Sequence, residues 1–282
     1  MSVTYDNASG SKEGAGSSPL TWSHTIGSGS GSNRLLVVGV TNNSNTGTVS
    51  VTYDSASMTE WSHYHAVNSD SNPFLTFFYM KEANLPSSGA HDIVVTYGGG
   101  TSVVTAGAIS FAGVDQTTPL QNKNEGTNQA GLSATITSST DNMAVLFSGC
   151  GAPLGTLGGG GSPTERVKQE YDTANYMNNI AGVTAAGAAS VAITYTDVSD
   201  TYTWIGADVK AGLSLSICWG HDTGVQEGTV RNLTTWSGTG LVAGSGDSER
   251  LVISSGEYME SEAIYTGEKN ITLAKNKYAA GL

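Results

Sequence analysis

The chain has 282 residues, with 37 Gly, 35 Ser and 33 Thr against only 12 Lys+Arg and 24 Asp+Glu. Charged residues make up 13% of it, half the roughly 25% of an ordinary domain, which excludes a coiled coil and a highly charged disordered tail. A formal net charge of −12 without any run of three basic residues excludes nucleic-acid binding, and no stretch of 18 apolar residues exists to insert in a membrane as a helix.

Period-two alternation then runs along most of the chain. In Leu20–Ile26 the apolar members share one face, with His24 among them. The unbroken apolar run Asn33–Val40 predicts a central strand covered on both sides. Val49, Val51 and Tyr53 alternate with Ser and Thr, and strand-like runs follow at 58–66, 74–80, 93–97 and 103–111. The second half adds 132–136, 143–147, 176–183, 191–195 and 202–209, and Gly-rich clusters at 27–32, 98–100 and 158–163 separate the runs. No 12-residue stretch has a 3.6 period. These features predict an all-β chain: a large two-sheet β-sandwich, jelly-roll-like, over residues 1–212, followed by a small β-rich C-terminal domain over 213–282.

In that tail, alternation restarts at Leu213–Trp219, 251–253, 258–265 and 270–273. So short a unit is marginal alone, so it is expected to lean on the first domain or on another subunit. The last residues, 278–282, offer no closing strand, and a partner is expected to complete the sheet. One echo stands out: Val3-Thr-Tyr-Asp-Asn-Ala-Ser9 resembles Val51-Thr-Tyr-Asp-Ser-Ala-Ser57. The intervening sequence does not repeat, so the pair reads as strand ends closing on similar turns rather than as propeller blades.

Candidate chemistry is sparse. Cys150 and Cys218 stand in no metal-ligand spacing and read as two thiols outside any disulfide framework. In Trp61-Ser-His-Tyr-His65 the two imidazoles, His63 and His65, share a strand face about 7 Å apart, within reach of a shared metal, but no spacing supplies a third ligand. A Ser–His–acid set could be drawn from so many serines, yet no G-x-S-x-G elbow exists. Glu257, Glu260 and Glu262 read as a solvated strand edge rather than a glycosidase pair. Asp6, Asp54, Asp197 and Asp200 read as turn-forming side chains. Asn7, Asn42, Asn232 and Asn270 head glycosylation sequons that a chain of this composition contains by chance. The Gly-rich loops lack the Gly-Lys-Ser/Thr of a phosphate cradle. No catalytic residue, cofactor or metal is expected. Aromatic rings among short polar side chains can stack on sugars and bond their hydroxyls. Trp61, His63, Tyr64, Tyr171 and Tyr176 are the candidate glycan contacts, while most other rings are expected to fill the interior.

Several segments resemble a β-sandwich domain of tailed-phage structural proteins and of large secreted bacterial adhesion proteins. They are Leu20–Thr25 with Asn33–Val40, Gly107–Pro119, where Asp115 and Pro119 shape an exit turn, and Thr203–Val209. The stretches 218–224 and 255–262 resemble phage fibre-like proteins. The resemblance carries no catalytic motif. It implies a structural protein of a phage virion surface, as head decoration or fibre subunit, partnered by copies of itself (a trimer suits both roles), by other virion proteins and by host surface glycans. The first residues lack the basic and apolar regions of a secretory signal, as suits release by lysis. The alternative is a secreted, extracellular carbohydrate-binding or adhesion module.

Overall fold

The computed structural model describes residues 2–13, 18–27, 33–42, 49–65, 73–98, 103–173, 176–196 and 201–212, with the short pieces 217–218 and 252–253. The chain forms two compact units, Met1–Gly212 and Leu213–Leu282. In the second, only β18 (Ile217–Cys218) and β19 (Val252–Ile253) are described, paired antiparallel. The other expectations for the tail, with Glu257, Glu260, Glu262, Asn232 and Asn270, lie outside the described residues.

The first unit is all-β, as alternation predicts. In its first half the strands are β1 (Thr4–Glu13), β2 (Leu20–Ile26), β3 (Leu35–Asn42), β4 (Val49–Tyr53), β5 (Ala56–Ser57), β6 (Thr59–Tyr64), β7 (Phe74–Lys81), β8 (Gly89–Tyr97) and β9 (Val104–Ala112). The second half has β10 (Leu120–Gln129), β11 (Leu132–Ile136), β12 (Met143–Cys150), β13 (Thr156–Gly158), β14 (Thr164–Thr173), β15 (Tyr176–Ala186), β16 (Val191–Thr196) and β17 (Thr201–Val209). A single 3-10 turn, Glu82–Asn84, is the one helical element among the described residues.

Strand order reveals a duplication that the linear sequence conceals. The first half forms sheets β1-β9-β3-β7-β6 and β2-β8-β4-β5, the jelly-roll order with β6 added at one edge. The second half forms β10-β17-β12-β15-β14 and β11-β16-β13, which is the same order strand for strand, lacking only an equivalent of β5. The bulges match too, at Tyr5/Asn7 in β1 and Gln121/Asn124 in β10, and at Glu60/Ser62 in β6 and Glu165/Val167 in β14. Asn7 Nδ2 donates to Thr25 O, and Asn122 Nδ2 donates to Thr137 O, so even the corner contacts correspond. The Val3 and Val51 echo is a different matter: it joins the start of β1 to the end of β4 within one half.

The sandwich is therefore doubled into four layers, with the two five-stranded sheets packed face to face at the centre. Alternation along β3 sorts its side chains between two cores. Leu35 and Val37 join Val145, Phe147, Ile180 and Ile205 in the inner core. Leu36, Val38 and Val40 instead join Ile93, Val95 and Tyr53 beneath the first outer sheet. The third layer lies under the second outer sheet, around Leu146, Val183, Ile193 and Trp204. Every residue of β3 is buried, as expected for a strand covered on both sides.

The inner interface turns on one ring. Phe147 packs edge-on against Phe77, with centroids 5.3 Å apart. It sits over Gly39, where a Cβ would overlap the ring, and against Gly182, where a Cβ would lie 2.8 Å from Phe147 Cε1. Gly39 pairs with Phe77 across β3 and β7, while Phe147 pairs with Gly182 at the equivalent place across β12 and β15. Large and small side chains are swapped between the halves, so they fit each other. Phe147→Ala should cost about 3–5 kcal/mol in urea unfolding, and Gly39→Ala about 1–3 kcal/mol by overpacking. The double variant should cost less than the sum, because the new methyl enters vacated space; strict additivity would contradict the contact.

Candidate functional site

Both ends of residues 2–212 meet at one pole of the first unit. Val3 N–H donates to Asp141 O, Gly212 N–H to Gly113 O and Ala211 N–H to Asn142 Oδ1. Two clamps hold this pole. Asp208, fully buried, accepts from Gln121 Nε2, Ser138 Oγ and Asn142 Nδ2 at 2.5–2.8 Å. Arg34 grips Glu82 with Nε and Nη2 at 2.6–2.9 Å. Burial pushes the Glu82 carboxyl up, but the Arg34 hydrogen bonds and charge outweigh it and hold it below its ordinary value. Asp115 shapes the exit turn as expected, accepting from the N–H groups of Thr117 and Thr118 and pairing with Lys210.

Three of the candidate glycan contacts share β6, an edge strand of the inner sheet that ends towards the opposite pole. Trp61 is the bulged residue, and a bulge re-aims its side chain. Its half-buried ring packs edge-on to Phe77 at 5.3 Å, and half-buried Tyr64 packs against the inner core. His63 is exposed, its Nδ1 2.6 Å from Glu60 Oε1. His65 stacks on Phe74 at 3.6 Å, so the two imidazoles have separate neighbours. Among the described residues no group of three potential metal ligands occurs. Two residues that sequence reading passed over complete this edge. Ser62 Oγ donates to Glu125 Oε2 at 2.7 Å, and Lys123 Nζ reaches Ser62 Oγ and Glu125 Oε1 at 3.3 and 3.1 Å. Lys123 and Glu125 lie on β10, whose polar Lys-Asn-Glu alternation was the available signal.

Tyr171 is half-buried on β14, an edge strand of the other inner sheet. That strand lies across from β1 and β9, whereas β6 lies across from β17, so Tyr171 and Trp61 occupy opposite sides of the stack. Tyr176 opens β15 at the far pole, and its side chain lies outside those described. Three of the five candidates share β6, where Trp61 and Tyr64 face the inner core and His63 the opposite side, and the other two occupy separate positions.

A second polar constellation sits between β1 and β2. Trp22 Nε1 donates to Ser9 Oγ at 2.9 Å, and Ser9 Oγ lies 2.8 Å from His24 Nδ1. His24 is 1% exposed, and its Nε2 is buried without a hydrogen-bond partner. The pair resembles a nucleophile and its base, but a triad places an acid on the second ring nitrogen. The carboxylate whose charge acts on His24, Asp6, instead accepts from Gly27 N and Ser110 Oγ. The arrangement serves as a buried corner. The other sequence candidates are equally structural: Asn7 is tied to Thr25 O, Asn42 is buried, Cys150 is a buried thiol and Asp54 sits in a turn at φ 48°. Asp197 and Asp200 lie outside the described residues.

No protein-family model, curated protein or solved structure matches the chain.

Burial lowers the His24 pKa to about 4 from 6.5, with Asp6 opposing. The folded state thus refuses a proton that the unfolded chain accepts. Its contribution is full above pH 6.5 and is lost as pH falls from 6.5 to 4, a change on the order of 3 kcal/mol. Urea midpoints measured across that window should decline more steeply for the native chain than for His24→Gln; equal slopes would contradict this assignment.

Proposed function

We propose that the chain is a structural, non-enzymatic subunit of a phage virion surface, of head-decoration or fibre type. It associates with copies of itself and with other virion proteins, and its β6 edge contacts host surface glycans. The observation that carries this reading is the polarity of the first unit. Both ends of residues 2–212 meet at one pole, while Tyr64, His65 and Phe74 close the strands at the other. A rigid body held at one end and bearing rings at the other suits display.

Two further features support it. Jelly rolls recur in viral capsid and lectin domains, which is an analogy of fold alone. The inner-facing side of the β6 edge also sets the partly exposed Trp61 and Tyr64 near the Lys123–Glu125 pair, chemistry that holds a sugar ring by stacking and its hydroxyls by hydrogen bonds.

Antibodies to residues 2–212 should decorate purified particles in electron microscopy. Label confined to the bacterial surface or medium would favour the adhesion module instead. On a glycan array, Trp61→Ala should weaken the retained sugar about thirtyfold, the loss of one central aromatic anchor worth about 2 kcal/mol. Unchanged binding would remove β6 from the contact.

A further inference from the structure

The duplicated strand order lets the two flanks of the inner interface be compared position by position, and they differ. Counting from Gly39 and Phe147, Gly107 of β9 corresponds to Ile205 of β17, and their edge-strand partners correspond as Gly10 of β1 and Glu125 of β10. On the β1 flank both positions are glycine, and β14 presses against them. A Cβ at Gly107 would lie 2.5 Å from Val167 Cγ1, and one at Gly10 2.9 Å from Gln169 Cγ. The bulged Arg166 closes this flank, its guanidinium 3.8 Å from the centre of the Tyr5 ring. On the β10 flank Glu125 and Ile205 fill the two glycine positions, Ser62 stands for Val167, and Trp61 stands for Arg166. The backbones of β6 and β10 accordingly stay farther apart than those of β14 and β1. The interface is a wedge, shut at β1–β14 and open at β6–β10.

A second observation lies on the inner side of the open flank. Thr203 of β17 is paired with Thr127 of β10, and its Oγ1 is buried without a hydrogen-bond partner. Its counterpart, Thr105, is satisfied by Thr41 Oγ1. The residue that matches Thr41 in the second roll is Gly149, which has no hydroxyl to offer, and the Thr41 methyl packs over it. Resting on the β6 reading above, we infer that this opening is the sugar site and that it takes a neutral hexose with adjacent free hydroxyls. The ring lies against Trp61 and Tyr64 on the β6 wall. Lys123 Nζ, 3.1 Å from Glu125 Oε1, donates to one hydroxyl while Glu125 accepts from its neighbour. A third hydroxyl, directly or through a water, fills the vacant capacity of Thr203. Lys123 and Glu125 neutralise each other, so neither offers a free charge to an acidic sugar, and a net charge of −12 repels one. Glu60 and His63 lie on the other side of β6 and take no part.

The full-length chain applied to an array of neutral hexose oligosaccharides beside their sialylated forms tests this. Neutral forms should be retained in preference. Lys123→Met should weaken that retention about tenfold, the loss of one charged hydrogen bond. Thr203→Val should weaken it about fivefold while the urea midpoint stays level or rises, because an unpartnered buried hydroxyl is removed. Glu125→Gln frees the Lys123 charge and should shift preference towards the sialylated forms. Arg166→Met, at the position of Trp61 on the closed flank, should leave retention unchanged. No retention at all, or retention indifferent to Trp61→Ala, defeats the β6 reading itself. Retention that needs Trp61 but is untouched by Lys123→Met, Glu125→Gln and Thr203→Val defeats only the wedge site. A native chain that prefers sialylated forms overturns the neutral assignment.

Discussion

Everything in the first unit depends on the contact between its two five-stranded sheets. A jelly roll buries one face of each sheet and leaves two faces outside. Here the inner pair of outside faces is apolar, and each roll is the other's missing layer. Phe147 settles how they fit, because the ring needs Gly39 beneath it and Gly182 beside it. Two copies of the first half would bring Gly39 against Gly39 and leave a hole. Two copies of the second would bring Phe147 against Phe147 and collide. Complementarity between unequal halves favours the internal pairing over either self-pairing.

That pairing also aligns the rolls in the same direction. Asn178 Nδ2 donates to Thr41 O and Val103 O at the far end of the interface, while Val3 and Asp141 meet at the near end. One pole thus receives both ends of residues 2–212, and the other receives Tyr64 at the end of β6. The low charge content follows the same plan. Charges are spent on fixed pairs, Arg34–Glu82 and Asp115–Lys210, and on the bulged edges, while buried Asp208 is satisfied by an amide, a hydroxyl and a second amide.

Legibility in the sequence tracked burial. Strands with alternating or continuous apolar residues, such as β2, β3, β9 and β12, could be read directly, and His24 was correctly assigned to an apolar face. Strands β10 and β14 escaped because they are edge strands of polar composition, Leu120–Gln129 and Thr164–Thr173, and a bulge breaks the alternation of each. The duplication escaped because equivalence lies in register rather than in letters. Gly39 corresponds to Phe147, and Asp6, which accepts from Ser110, corresponds to Gln121, which donates to Asp208. The β6 cluster was half visible: the aromatic run announced itself, but Lys123 and Glu125 become neighbours only when the second roll docks on the first.

The inner interface makes both rolls one cooperative body, and native-state hydrogen exchange of the full-length chain measures this. Amides of β3 and β9 in the first roll and of β12 and β17 in the second should exchange through a common opening, with the same free energy and the same denaturant dependence. If one roll loses protection at a denaturant concentration that leaves the other intact, the interface does not govern the fold.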